Sequence, residues 1–349
     1  MIRQSLIAYG EPLAETTASL PEPKGSEVLI KVASCGVCHS DLHLQDGHFD
    51  LGDGKHLDIT SGRTLPFTLG HEIAGHIEKT GPDAGPLDRA AFYAVYPWCG
   101  CGVCERCRKG QEPLCDTPRQ LGITADGGFA SHVLVPDSRY LIDASGIDRR
   151  LAGSYMCSGL TAYSAIRKAM RFLAEDGTLL IVGLGGVGMM GLEIARALTS
   201  ARLHAADIVP AKRETALQLG AAAVFDPSLA EARRAILKQA GAMDVAIDFV
   251  GSEASLHFAQ SVVGKGGAVI IVGLMGGKFS LPVPMFPLRE LTLAGSYVGS
   301  LDEARALIEL VREGRVRPIP VSERPLAEAN SALTDLRAGS VMGRVILRP

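Results

Sequence analysis

One stretch narrows the choice of fold more than any other: the apolar run TLLIV over residues 178–182 enters Gly183-Leu184-Gly185-Gly186-Val187-Gly188 and leaves it as an amphipathic pattern. In that pattern Val187, Met190, Ile194 and Leu198 recur at helical spacing. A strand that turns through glycines into a helix begins a βαβ unit, and such units build parallel sheets. Gly183 permits the tight turn, Gly185 admits a pyrophosphate close to the backbone, and Gly188 lets the helix lie against the strand, with Gly186 and Val187 completing the loop. The next strand, RLHAAD, ends in Asp207, 22 residues beyond Gly185. A carboxylate there accepts hydrogen bonds from an adenosine ribose and repels a 2′-phosphate. A packed glycine turn and an aspartate capping a strand end are the plainer readings of each feature. Their combination points to NAD, with Lys212 and Arg213 as nearby cations able to tolerate NADP.

The surrounding pattern extends this unit. From Cys157 onward, helix and strand segments alternate at short spacing through LTAYSAIRKAM, TLLIVGLG, RLHAAD, AAVF, DVAIDFV and GAVIIVGL, as an open parallel sheet requires. The region up to about residue 154 differs: it holds seven of the eight cysteines and seven of the nine histidines among short extended runs such as VLIKVAS and FASHVLV. That pattern reads as an irregular antiparallel β module with ligand-rich loops. The tail from Arg289 either adds a sixth strand with edge helices or returns to complete the first module.

Charge removes other classes of function. With 35 Lys and Arg against 38 Asp and Glu, the formal charge of −3 leaves no nucleic-acid footprint. The opening MIRQSLIAYGEPLAE lacks the long apolar core of a secretory signal, and the strongest apolar runs break at Gly or charge before the roughly 18 residues a membrane span needs. We therefore expect a soluble cytoplasmic protein with no membrane or nucleic-acid partner, whose cysteines serve metal or thiol chemistry rather than disulfides.

The run Cys101-x2-Cys104-x2-Cys107-x7-Cys115 sets four thiols in a loop rich in Gly and charge. A closed tetrahedral S4 site satisfies zinc, with an iron–sulfur cluster or reduced thiols as alternatives. Cys99 competes with Cys101 for the first place; the two-residue spacing favours Cys101. A second group begins Cys35-Gly36-Val37-Cys38-His39, which literally matches covalent haem attachment. That reading is set aside because such haem belongs to exported chains. Cys38, His71 in Gly70-His71-Glu72, and distant Cys157 form a more coherent Cys2His set, leaving a fourth position for water or substrate oxygen. Spacing alone does not bring them together, and a core histidine with an inert buried thiol is the plainer alternative.

Taken together, CGVCHSD, GHEIAG, the four-cysteine lobe, CSGLTAY, VGLGGVG and the terminal GRVIL resemble the zinc-dependent alcohol dehydrogenases of the medium-chain dehydrogenase/reductase superfamily, over essentially the whole chain. The resemblance implies an α/β protein: a GroES-like irregular β catalytic domain (1–154), a doubly wound parallel-sheet Rossmann domain binding NAD (155–294), and a return segment (295–349) completing the first. It implies two Zn2+ per chain, a catalytic ion on Cys38, His71 and Cys157 and a structural ion on Cys101, Cys104, Cys107 and Cys115. By resemblance Glu72 is a carboxylate behind the ligands or transiently on the metal, and Asp41 fixes the His71 imidazole. Arg344 and His39 face the coenzyme pyrophosphate. Ser40 and His43 pass the alcohol proton to solvent by way of the coenzyme ribose, and Trp98, Leu121 and Tyr297 line the substrate pocket.

The function implied is reversible oxidation of a primary or secondary alcohol by hydride transfer to NAD, in a homotetramer or homodimer. A polyol dehydrogenase or an NADP-dependent aldehyde reductase is the nearest enzymatic alternative; a nucleotide-binding sensor or crystallin-like protein is the non-enzymatic one. Two stretches depart from the family pattern. The loop FDLGDGKHLDITSGRTL (49–65) is longer, on the side of substrate entry, and PLDRAAFYAV replaces the usual Gly-Asp-Arg-Val turn.

Overall fold

The computed structural model describes residues Met1–Pro349, and its strands divide between antiparallel and parallel sheets. The first part of the chain runs β1 (Ile2–Leu6), β2 (Ala14–Thr17), β3 (Val28–Gly36), α1 (His39–Asp46), β4 (His48–Asp50), β5 (His56–Asp58) and β6 (Phe67–Thr68). It continues through β7 (Glu72–Thr80), β8 (Tyr93–Val95), α2 (Glu105–Arg108), β9 (His132–Val135) and β10 (Leu141–Asp143). Strand β3 is buried along nearly its whole length because partners flank it: β7 and β9 pair with it antiparallel. The register sets Gly36, the last residue of β3, opposite Glu72, the first of β7.

Helix α3 (Ser158–Ala169) leads into the parallel sheet: β11 (Thr178–Val182), α4 (Gly186–Leu198), β12 (Arg202–Ala206), α5 (Pro210–Gln218), β13 (Ala223–Phe225), α6 (Ala232–Gln239), β14 (Met243–Asp248), α7 (Glu253–Val262), β15 (Val263–Ile271), α8 (Met285–Arg289) and β16 (Thr292–Gly295). Its order is β13-β12-β11-β14-β15-β16. The winding reverses between β11 and β14, and the crevice beyond their carboxyl ends is where such sheets bind ligands. Side chains of β11 alternate faces. Leu179 and Ile181 join an apolar core continuous with the first module through α3 and α4, while Leu180 and Val182 join a second core on the opposite face with Ala246 and Val269.

The tail does both things its sequence allows. Strand β16 is the sixth strand of the parallel sheet, after which α9 (Leu301–Arg312), β17 (Val321–Pro325), α10 (Ala329–Arg337) and β18 (Arg344–Arg348) leave it. Strands β17 and β18 pair with each other and join the first sheet, with β18 against β3, Ile346 opposite Gly36. The fully buried Glu193 of α4 pins this return: the Arg317 side chain donates to both its oxygens, at 3.0 and 2.7 Å, the Arg317 main-chain N–H adds a bond at 3.1 Å, and Arg196 a fourth at 3.0 Å. No helix is long and apolar enough to cross a membrane.

The glycine loop shows why its residues are small. Gly183 holds φ at +86°, in the left-handed region. A Cβ on Gly188 would overlap the Gly183 carbonyl oxygen, whereas one on Gly185 would meet nothing within 4 Å. The first pair is closed by packing, and Gly185 alone is bare and open. Gly188→Ala is therefore expected to lower the unfolding midpoint in urea, by about 1–3 kcal/mol of overpacking, and to move α4 enough to weaken NAD binding. Gly185→Ala should leave the midpoint within about 1 kcal/mol, the ordinary scale of a Gly-to-Ala change, while still weakening NAD binding.

Candidate functional site

Helix α1 starts where β3 ends, with Cys38 as its extended N-cap residue. Its third residue, Asp41, turns back to accept from the Cys38 main-chain N–H at 2.8 Å and also from the Gly70 N–H at 3.2 Å. Asp41 Oδ1 lies 3.4 Å from His71 Nδ1, both groups fully buried. One carboxylate thus ties the helix start to the segment before β7 and faces one nitrogen of the His71 ring. Both ring nitrogens, Nδ1 and Nε2, are buried without a hydrogen bond, Nδ1 having this longer contact with Asp41. Cys157, at the start of α3, brings its sulfur into the same place: the donor atoms of Cys38, His71, Glu72 and Cys157 all lie within 4.8 Å of one another.

The titratable groups of this cluster shift one another through its short contacts. The hydrogen bond from Cys157 holds the Cys38 thiol well below its usual range, against burial, while Cys157 itself is pushed well above. Burial opposes charging of His71, but Asp41 and the Cys38 sulfur outweigh it and raise its pKa. A buried set of two sulfurs and an imidazole with an unpartnered nitrogen fits zinc with one position left open. Haem attachment does not fit, because Cys35 is wholly buried, with its Sγ packed close to Gly70 and Gly128.

Glu72 adjoins His71 but is engaged elsewhere. Arg344, on β18, donates to it through Nε at 3.1 Å and through a second nitrogen to its other oxygen. Burial raises the Glu72 pKa, with Arg344 opposing. The bare Gly36 makes the pairing feasible, since a Cβ there would overlap Glu72 Oε2. The Arg344 guanidinium also lies against Gly186, where a Cβ would sit 2.9 Å from Nη1. It therefore spans from the donor cluster to the first turn of α4, with its charge shared with Glu72 rather than free for phosphate alone.

Along the nucleotide loop, α4 begins at Gly185 with no side chain capping its N–H groups. Uncapped N–H groups above an open glycine suit a pyrophosphate. Val187 is half-buried on the helix and packs against the core. Asp207 caps the strand end, as one reading of its position had it. It stands at the end of β12, and its carboxylate accepts from Leu184 N at 2.7 Å and Val209 N at 2.8 Å, with lone pairs remaining for a ribose.

The cysteine lobe has the geometry of a closed site. The sulfurs of Cys101, Cys104, Cys107 and Cys115 lie within 4.8 Å of one another. The Cys101–Cys107 and Cys104–Cys115 separations are 4.0 and 3.9 Å. Tetrahedral zinc at its usual sulfur distance requires about 3.8 Å. Main-chain N–H groups donate to these sulfurs, from Cys104 to Cys101 and from Cys107 to Cys104 at 3.4 Å each. Such bonds bring the Cys101 thiol down to about 6, while burial pushes Cys107 up to about 12. Cys99 is outside the cluster, buried with its Sγ directed to the Tyr96 carbonyl at 3.4 Å.

Around the metal cluster, the Ser40 hydroxyl is 4.0 Å from Cys38 Sγ. His43, half-buried, lies against Phe49 with ring centroids 4.6 Å apart and the planes tilted by 41°, and its Nε2 has no partner; burial lowers its pKa. His39 is exposed at the first position of α1. Trp98 is 5.6 Å from the His71 ring and edge-on to Tyr297 at 5.8 Å, so an aromatic wall leads from the donor cluster to the half-exposed Tyr297. Trp98 Nε1 is spent on the Met156 carbonyl at 2.9 Å, leaving an apolar face. Leu121 is fully buried as part of the core.

The long loop does something sequence reading missed. Its β4–β5 hairpin reaches the other sheet, where Gly277 N donates to the Asp50 carbonyl at 3.2 Å and Lys278 pairs with Asp53 at 2.8 Å. Only its extra length was visible as a signal. The departing PLDRAAFYAV turn is stabilised locally, Asp88 capping Ala90 N at 2.9 Å and accepting the Tyr93 hydroxyl on its carbonyl at 3.0 Å.

Two family models match the chain: Alcohol dehydrogenase GroES-like domain over residues 24–145 and Zinc-binding dehydrogenase over residues 186–313. An NAD-dependent alcohol dehydrogenase of Sulfurisphaera tokodaii is 38% identical over 349 residues, covering 99% of each chain. A D-arabinose 1-dehydrogenase (NADP(+)) of Saccharolobus solfataricus is 31% identical, over 98% of this chain and 95% of its own. The crystal structure of the alcohol dehydrogenase of Aeropyrum pernix superposes with a TM-score of 0.91 at 31% identity, over 100% of both chains.

Two disjoint donor sets lead to a metal count. Elemental analysis of the purified, undenatured protein is expected to give two zinc ions per chain. Cys157→Ser and Cys101→Ser should each bring the ratio toward one, the latter with a loss of thermal stability, because a closed zinc site contributes folding free energy. Cys99→Ser should leave it at two; a fall there would move the lobe's first ligand to Cys99.

Proposed function

The chain belongs to the zinc-dependent alcohol dehydrogenases of the medium-chain dehydrogenase/reductase family, and from that premise we propose how its own residues divide the work. It is an enzyme that binds zinc and NAD and exchanges hydride between NAD and a primary or secondary alcohol. The observation that carries the assignment of roles is the convergence of Cys38, His71 and Cys157 within 4.8 Å beside an Arg344 guanidinium that also touches the coenzyme loop at Gly186. Zinc held by those three residues supplies the Lewis acidity that eases loss of the alcohol proton, and NAD supplies the hydride acceptor.

The remaining work falls to side chains. Asp41 fixes the His71 ring so that Nε2 faces the open site. Glu72, kept charged by Arg344, balances the local field from behind the ligands, and Arg344 with His39 faces the pyrophosphate side. Ser40 receives the hydrogen bond of the substrate hydroxyl and passes the proton by way of the coenzyme ribose to His43, which hands it to solvent. Gly183, Gly185, Gly186, Val187 and Gly188 seat the coenzyme phosphates, and Asp207 its adenosine ribose. The apolar face of Trp98, with Leu121 behind and Tyr297 at the mouth, supports an aliphatic, cyclic or aromatic alcohol over a polyol.

We divide the chain as 1–154 and 295–349 for the catalytic domain and 155–294 for the coenzyme domain. The eight cysteines form no disulfide, which supports a cytoplasmic setting. A homotetramer, or a homodimer, is supported by the unpaired edge strand β16 and the strongly exposed Val283 and Leu288 before it.

Three measurements test this reading. NADH formation from a panel of alcohols should vanish in Cys157→Ser. His43→Gln should keep both zinc ions and NAD binding yet slow single-turnover oxidation, by a few-fold up to roughly 10²-fold. Burial lowers the His43 pKa, so the imidazole stays neutral to below its ordinary value of about 6.5. The gap between the two proteins should be widest at mildly acidic pH just above that titration and close below it. An unchanged rate throughout makes His43 a bystander. Light scattering should give a mass of two or four chains, and Leu288→Glu should shift it toward smaller species.

A further inference from the structure

The cations that follow Asp207 are already engaged by the protein. Arg213, on α5, donates through Nη1 to the Asp207 main-chain carbonyl at 2.7 Å and to Asp226 Oδ2 at 3.0 Å. Both side chains of that ion pair are largely buried, 19% and 17% exposed. Asp226 follows β13 and is itself held in place, its Oδ1 accepting from the main-chain N–H and the hydroxyl of Ser228 at 3.0 and 2.5 Å. Lys212 turns the other way, its Nζ 3.4 Å from the Gly339 carbonyl on the return segment.

A coenzyme with a 2′-phosphate would bring about two negative charges to this strand end and needs a cation to receive them. Asp207 alone is an incomplete barrier, because both its oxygens already accept main-chain N–H groups, which offset part of its charge. The guanidinium within reach is the decisive group. Its Nη1 is bonded to one carboxylate and one carbonyl, so one end of the fork is fixed against the protein and its charge is paired with Asp226.

We propose that Asp226 is a positioning residue for coenzyme choice: by holding the Arg213 guanidinium against the end of β12, it denies a 2′-phosphate its counter-charge and so keeps the site for the unphosphorylated ribose. The proposal rests on the NAD reading of the site above. Asp226 acts through Arg213 and needs no contact with the coenzyme. A pin that merely fastened α5 to β13 would affect every nucleotide alike.

The test is equilibrium binding of two probes, 5′-AMP and 2′,5′-ADP, to the zinc-loaded protein by calorimetry. Asp226→Asn keeps the shape and the Ser228 contacts while removing the charge. It should tighten 2′,5′-ADP roughly tenfold, through a new charge-assisted bond to phosphate, with 5′-AMP changed less than twofold. Adding Arg213→Met to Asp226→Asn should abolish the gain. Equal effects on both probes, no effect on either, or a gain that survives loss of Arg213 would overturn the proposal. If Asp226→Asn loses 5′-AMP binding, Asp226→Ser decides by the same criteria. Failure of the unmodified protein to bind 5′-AMP would sink the underlying nucleotide-site reading along with it; binding of 5′-AMP without the selective gain sinks this proposal alone.

Discussion

The buried ion pair between Arg344 and Glu72 is the joint at which three distant parts of the chain meet. Glu72 opens β7 one residue after His71 of the donor cluster, Arg344 opens the last strand, and the guanidinium rests against Gly186 at the head of α4. Neither charge is stable alone in such a place: removing one partner of a buried pair costs about 3–5 kcal/mol. The pair therefore holds β18 to the first sheet, sets the carboxylate behind the donor cluster, and brings the donor cluster to the coenzyme loop. It exists because Gly36 has no side chain where Glu72 must cross.

Around that joint the other links differ in strength. Asp41 ties Cys38 and His71 into one geometry through main-chain and imidazole contacts. The Glu193–Arg317 pair fastens the return segment to α4 on the far side. Across the cleft, by contrast, the β4–β5 hairpin touches the parallel sheet through one main-chain bond and one exposed ion pair, Asp53–Lys278. An exposed pair contributes at most about 1 kcal/mol. Compared with the joint at Arg344, that exposed pair is the weaker link, and close packing of Gly52 on Lys278 and of Gly276 on Asp50 accompanies it.

Much of this was legible in the residues. The glycine spacing of the coenzyme loop follows from local sterics: a left-handed turn at Gly183, an open Gly185, and no room at Gly188. The cysteine lobe was legible for a similar reason, since its ligands are close in sequence and CxxC spacing brings sulfurs together without help from the rest of the fold. Spacing also chose Cys101 over Cys99, and the buried, averted Cys99 thiol agrees. Cys38, His71 and Cys157 stood out as a coherent Cys2His set, but only the resemblance implied that they meet, because no local rule connects residues 33 and 86 positions apart.

What the sequence determined by itself is therefore the set of local units: a βαβ coenzyme fold with an acidic ribose position, a closed thiolate lobe, and a family of donors able to bind a second zinc. Each is encoded within a few turns or strands by spacing and side-chain size. Only the tertiary structure decided the rest. The tail contains both a sixth strand and a returning pair, Arg344 spends its charge on Glu72, and Arg213 is held by Asp226 instead of facing a phosphate. The inserted loop crosses to the second sheet. These depend on which long side chain finds which partner, and that choice is made by strand register and packing between segments from 13 to 272 residues apart, where spacing carries no information.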